Sequence, residues 1–236
     1  MTRLLRKAAK PALFLLCLVP LAKLVVDGFT GHLEAEPIKD ITHRTGFWGI
    51  TLITVTLAVT PVRRITGWNG VQRYRRMLGL FGFFYILLHF LIYLVLDQFF
   101  AWPEIVKDIA KRPYITVGFT GFVLMIPLAL TSTAKSVKRL GRRWVSLHSL
   151  IYLTALAGVV HFAWSQKLDI TVPTRYGIVL AVLLALRLVP RSRLSAWSMT
   201  RFRNSDAPSR RPADRSSSSP VPEPARPSAS SAESAI

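Results

Sequence analysis

The sequence predicts an all-α protein, a polytopic bundle of six transmembrane helices with both termini in the cytoplasm. Three observations carry that expectation. Hydrophobic residues make up 51% of the 236 positions and fall in long blocks, of the length a helix needs to cross a hydrocarbon core. Basic residues, which leave the chain at net +19, collect at the ends of alternate blocks. Histidines, costly in lipid, lie inside two of the blocks.

In chain order, residues 1–10 are a basic N-terminus carrying Arg3, Arg6, Lys7 and Lys10. Ala12 to Val26 is the first span, apolar apart from Lys23, which can snorkel from its end. No small-x-small cleavage site precedes Asp27, so the segment reads as a retained helix rather than a signal peptide. Gly28 to Arg44, with Glu34, Glu36, Lys39 and Asp40, reads as an external loop. The second span centres on Phe47 to Val59 and must extend from Ile41 to Pro61 to cross about 30 Å at about 1.5 Å per residue.

Arg63, Arg64, Arg73, Arg75 and Arg76 form a basic connection around the turn Gly67-Trp68-Asn69-Gly70. Met77 to Leu96 is the third span, and Asp97 to Arg112, with Trp102-Pro103, an external interfacial segment. Tyr114 to Leu130 is the fourth span, followed by Lys135, Lys138, Arg139, Arg142 and Arg143. The fifth runs from Trp144 to Ser165 and the sixth from Arg175 to Val189, closing a transmembrane domain over 11–190. Residues 191–236 are Ser, Pro, Arg and Ala with little apolar content, the composition of a disordered cytoplasmic tail.

Orientation follows from the Lys/Arg count. The N-terminus has four and the second and fourth connections five each, against two, three and two in the first, third and fifth. The positive-inside rule then places both termini in the cytoplasm. Positive charge so distributed sets topology and meets anionic lipid, which argues against a nucleic-acid partner. Cys17, the one cysteine, can form neither an intramolecular disulfide nor a cysteine zinc site and reads as a small buried side chain. No internal repeat is read. Gly79-Leu80-Phe81-Gly82 lies within a span rather than between a strand and a helix, so no soluble nicotinamide or flavin dehydrogenase domain is expected.

The histidines carry the chemistry. Counted from the basic edge, His89 lies about 20 Å deep, His148 about 8 Å and His161 about 27 Å. His89 and His161 sit on spans running the same way, and their depths differ by about 8 Å, which tilt can absorb. They are expected to ligate one haem iron from opposite sides. His148 is shallower and could serve a second haem with Arg75 opposite it. Arg75 lies about 40° from His89 on one helical face, and Gly82 shares that stripe, where it would admit a flat macrocycle. His148 and His161 are about 140° apart on an ideal helix, so both face inward only toward different neighbours or if the helix deforms near Gly158. His43 and His32 read as structural or solvated. A proton relay through the histidines of a transporter or scaffold is the non-redox alternative.

The runs Leu87-Leu88-His89-Phe90-Leu91-Ile92-Tyr93, Trp144-Val145-Ser146-Leu147-His148-Ser149-Leu150-Ile151-Tyr152 and Val159-Val160-His161-Phe162-Ala163-Trp164, with Thr60-Pro61 and Arg73-Tyr74-Arg75-Arg76-Met77-Leu78-Gly79 before them, resemble the MsrQ (YedZ) family. These are the haem-binding membrane subunits of bacterial MsrPQ systems. The resemblance covers roughly residues 8–190 and implies a ferric-reductase-like fold in the inner membrane with one or two b-type haems and a flavin mononucleotide (FMN). Electrons would come from quinol or a cytoplasmic flavin reductase. They would pass to a periplasmic molybdenum-containing reductase, the partner in a heterodimer, which repairs oxidised methionines. The family's haem ligands carry over onto His89, His148 and His161, while two-haem ferric reductases have a histidine where this chain has Arg75. A self-contained ferric-chelate reductase of the same architecture is the nearest alternative.

Overall fold

Six apolar stretches become helices long enough to cross a membrane, spanning Ala8–Thr30, Pro37–Thr66, Asn69–Asp97, Pro113–Leu130, Arg142–Ser165 and Thr171–Leu188. The computed structural model describes residues 3–166 and 169–188, and the tail expected over 191–236 lies outside the described residues. The elements are α1 (Arg3–Thr30), α2 (Pro37–Thr66), α3 (Gln72–Ile92), α4 (Trp102–Lys111), α5 (Pro113–Leu130), α6 (Ala134–Leu140), α7 (Arg142–His148), α8 (Leu150–Ser165) and α9 (Thr171–Leu188). A π-helical turn over Tyr93–Asp97 extends α3. The segment after it, expected only as interfacial, contains α4, a short helix entered through Pro103 and buried at Ile105.

Helix pairing places the core. α2 packs along α3 and α5 along α8, the two most extensive contacts, with α9 against α2 and α8 and with α1 against α2 and α3. One buried cluster joins Cys17, Leu52, Val59, Leu78, Phe81 and Tyr85 across α1, α2 and α3. A second joins Ile53, Leu57, Met125, Ala155, Leu180 and Leu183 across α2, α5, α8 and α9. Cys17 is buried, as expected for a small core side chain. The outward faces stay apolar, as at Leu15, Val55, Leu156 and Val182, because lipid and not water is their solvent.

Two prolines open helix ladders, and side chains from other helices fill the openings. Pro61 has no N–H to offer the Leu57 carbonyl, which instead accepts from Arg187 Nη2 at 2.6 Å. Next to Pro20 in α1, the Tyr85 hydroxyl donates to Cys17 O at 2.8 Å and accepts from Leu21 N–H at 3.1 Å. Both are tertiary contacts made to backbone groups that lipid cannot satisfy.

The two ends of the bundle differ in charge. Every described carboxylate lies at one end, which we term the acidic end, and the arginines of the α2–α3 and α6–α7 connections lie at the other, the basic end. The first connection is shorter than the sequence suggests, because α2 begins at Pro37 and takes Asp40, His43 and Arg44 into the helix. Arg44 there joins Asp27 (Nη1–Oδ2, 2.5 Å) to Asp40 (Nε–Oδ1, 2.7 Å) and so ties α1 to α2. At the opposite end the turn after α2 falls at Gly67, as expected, with φ of 70°.

Candidate functional site

The side chains of His89 on α3 and His161 on α8 meet at the acidic end, with ring centres 6.1 Å apart and ring planes at 77°. His89 Nδ1 lies 2.9 Å from Thr42 O on α2, and His161 Nδ1 lies 2.7 Å from Tyr114 O on α5. A carbonyl can only accept, so Nδ1 carries the proton in both rings, and Nε2 is left as the nitrogen with a free lone pair. A carbonyl held on Nδ1 in this way orients a metal-binding imidazole and raises its basicity.

Glycine makes each contact possible. A Cβ at Gly46 would sit 3.0 Å from His89 Nδ1, and one at Gly118 would sit 2.6 Å from His161 Nδ1. Each glycine lies one helical turn after the carbonyl that its histidine uses, so the ring can lie against bare backbone. Any side chain there would displace it.

The two halves of the site repeat one another. Both histidine-to-carbonyl bonds span 47 positions, and Gly46-Phe47-Trp48-Gly49 with His89-Phe90 matches Gly118-Phe119-Thr120-Gly121 with His161-Phe162 at constant offset. The second glycine of each motif again faces the histidine's helix, Gly49 toward Ile86 and Gly121 toward Ala157. The bundle core therefore holds a structural duplication, α2–α3 and α5–α8, although no repeat is read from the sequence alone. The motif is short and the rest of the two halves has diverged, which hides the repeat from a search by overall similarity. The paired Gly-Phe-x-Gly and His-Phe signatures were the available signal for Gly46 and Gly118.

Between the rings and the helices lies a cavity of about 390 Å³ lined by both histidines, by apolar side chains such as Ile50, Phe122 and Met125, and by Lys39 and Arg112. Haem, the group implied by the resemblance, can be tested against this geometry. Metal–imidazole bonds of about 2 Å, with each ring centre about 1 Å behind its nitrogen, require centres roughly 6 Å apart for two axial ligands on one iron. The observed separation of 6.1 Å fits.

His148 does not line that cavity. It ends α7, where its ring stacks on Trp144 at 3.8 Å and its Nδ1 lies 3.2 Å from Trp144 O. Its Nε2 faces Ser132 Oγ at 3.4 Å, and Ser132 donates to Leu128 O at 2.6 Å. Arg75 lies near His148, as expected, but among the basic side chains Arg63 and Arg187. His148 and His161 address different neighbours, and the interruption between α7 and α8 falls at Ser149 rather than at Gly158. Gly82 serves packing and not the cavity, since a Cβ there would meet Ile53 at 3.0 Å. His43 is exposed at the head of α2, and exposed His32 bonds Thr30 Oγ1 at 2.7 Å.

Among known families, the one described as ferric reductase like transmembrane component matches residues 45–159. The chain is 52% identical to the protein-methionine-sulfoxide reductase heme-binding subunit MsrQ of Ralstonia nicotianae, over 77% of this chain and 85% of that protein. It is 48% identical to the MsrQ subunit of Herminiimonas arsenicoxydans, over 76% and 84% of the two chains. With that of Xanthomonas euvesicatoria the identity is 44%, over 85% and 94%. No solved structure matches the chain.

Proposed function

Because the chain belongs to the MsrQ family and is a multi-pass membrane protein of ferric-reductase-like fold, we propose that it is the haem-carrying electron-transfer subunit of a protein-methionine-sulfoxide reductase. The observation that carries the proposal is the apposition of His89 and His161 at 6.1 Å, each with Nδ1 on a backbone carbonyl. Both would offer Nε2 to one iron. Haem b, when bound, supplies the one-electron redox chemistry.

The remaining work falls to the chain's own residues. Thr42 O and Tyr114 O hold the imidazole tautomers, and Gly46 and Gly118 keep the rings against the backbone. Apolar residues of α2, α5 and α8 exclude water and lower the local dielectric, a lever on redox potential. Lys39 and Arg112, half-exposed and paired with Glu36 and Asp108, line the cavity as the cations that haem carboxylates would meet. His148, stacked on Trp144 and bonded to its carbonyl, is assigned a structural role, and one haem is the stoichiometry this supports. The FMN implied by the resemblance is assigned no step.

The Lys/Arg asymmetry of the connections supports cytoplasmic termini in a bacterial inner membrane, with the His89/His161 end facing the periplasm. Electrons would enter from quinol or a flavin reductase and leave toward a periplasmic molybdenum-containing reductase, on which methionine sulfoxide is reduced. The test is reconstitution. Dithionite-reduced protein should show a Soret band that shifts back when the periplasmic reductase and methionine sulfoxide are added together. Reduced haem that is reoxidised equally by ferric chelates alone would favour a self-contained chelate reductase, and absence of any Soret band would overturn the proposal. Reporter fusions after Arg76 and Arg143 should read cytoplasmic, and one after Lys111 periplasmic.

A further inference from the structure

The haem reading leaves three half-buried arginines of the basic end without a purpose. Arg75 on α3 lies near Arg63 on α2 and near Arg187 on α9, whose guanidinium meets Tyr152 on α8. None takes part in the six ion pairs, all of which lie at the acidic end. With no carboxylate beside them among the described residues, Arg75 and its two cationic neighbours repel, at a cost that an anion among them would offset.

The side chains are also partly fixed in advance. Arg187 is anchored by Nη2 on Leu57 O at 2.6 Å, by Nη1 on the Tyr152 hydroxyl, and by its Cζ lying 5.0 Å from the Tyr152 ring centre. Arg64 Nη1 donates to Arg187 O at 2.8 Å and closes the end of α9. Yet the Nε atoms of Arg63 and Arg187 are buried with no partner, as is Thr60 Oγ1 one turn before Arg63. Three of the four unpartnered buried side-chain polar atoms among the described residues thus lie at this end, the fourth being Thr154 Oγ1, and buried donors left unpaired point to a missing acceptor.

We propose that Arg63, Arg75 and Arg187 form a binding site for a phosphate group at the basic end of the bundle. Phosphate suits the site better than a carboxylate, because it offers more acceptor oxygens and, as a monoester, close to two charges to set against three guanidiniums. The group could come from the head of an anionic phospholipid or from a soluble phosphomonoester. The site lies apart from the histidine pair and does not depend on the haem reading.

The experiment uses the full-length protein, purified in detergent and stripped of lipid. Binding is followed by thermal shift and native mass spectrometry with two matched pairs, phosphatidic acid against diacylglycerol, and flavin mononucleotide against riboflavin. Within at least one pair the phosphate-charged member should bind saturably and about tenfold more tightly than its counterpart. Arg75→Gln, at a side chain that anchors no backbone group, should abolish that preference, and Arg75→Lys should retain part of it. Arg73→Gln, at an exposed arginine of the same end, should leave it intact. Preference in the lipid pair alone assigns the site to a head group, and in the flavin pair alone to a soluble phosphomonoester. No preference in either pair, or equal losses in Arg73→Gln and Arg75→Gln, overturns the proposal.

Discussion

His161 and His148 sit on consecutive helices of one span, and the structure treats them differently. His161 meets a carbonyl of the facing helix beside a glycine, opposite a second histidine held in the same way. His148 meets the carbonyl of its own Trp144, lies under that indole, and has arginine rather than histidine nearby. The difference lies in the neighbours. A histidine becomes an available ligand where an adjacent helix offers a bare acceptor for Nδ1, and becomes a packing element where its own helix supplies that acceptor and an aromatic covers its face.

Removing the histidines one at a time separates the two roles. His89→Ala and His161→Ala should each eliminate most low-spin haem from protein that still inserts, whereas His148→Ala should leave the haem-to-protein ratio at the wild-type value. A normal low-spin spectrum in either of the first two variants would refute shared ligation.

Next in size are the glycines, which test whether the facing helix matters as much as the ligand. Gly118→Ala places a methyl 2.6 Å from His161 Nδ1, and Gly46→Ala places one 3.0 Å from His89 Nδ1. Loss of a hydrogen bond that orients a metal ligand typically costs about 10- to 100-fold in affinity. Gly118→Ala should fall in that range and Gly46→Ala below it, read as haem dissociation rate and as altered low-spin electron paramagnetic resonance. Equal, wild-type behaviour of both would show that the carbonyl contacts are dispensable.

A smaller effect is expected where His148 is structural. His148→Ala should lower stability by about 1 kcal/mol, the scale of a polar contact between membrane helices, as a drop in melting temperature without a spectral change. The smallest belongs to Ser132→Ala, whose contact to His148 Nε2 is long at 3.4 Å. It should shift stability by no more than about 0.5 kcal/mol, and a larger loss would mean that His148 depends on Ser132 more than its geometry suggests.

How far each feature could be read in advance depends on how local it is. The six spans, the charged connections and the three intramembrane histidines follow from composition along the chain, because lipid selects apolar length and disfavours charge whatever the neighbouring helices are. The depth match of His89 and His161 is equally local, since rise per residue is constant along a helix. Helix azimuth is not. An ideal helix leaves His148 and His161 about 140° apart, and it is the neighbours that differ, Ser132 beside the one and Tyr114 O beside the other. Gly82 looked suited to a flat ligand from its stripe on α3, but packing against Ile53 claimed it.

By itself, then, the sequence determined which segments cross the membrane and which side chains in them are chemically able to hold a metal. Tertiary structure alone decided that Thr42 O and Tyr114 O would meet His89 and His161, and that the carbonyl freed by Pro61 would go to Arg187, 130 positions away. Those choices rest on how α2 lies on α3 and α5 on α8. Packing at glycine contacts sets that geometry, and no property of a single stretch of chain encodes it.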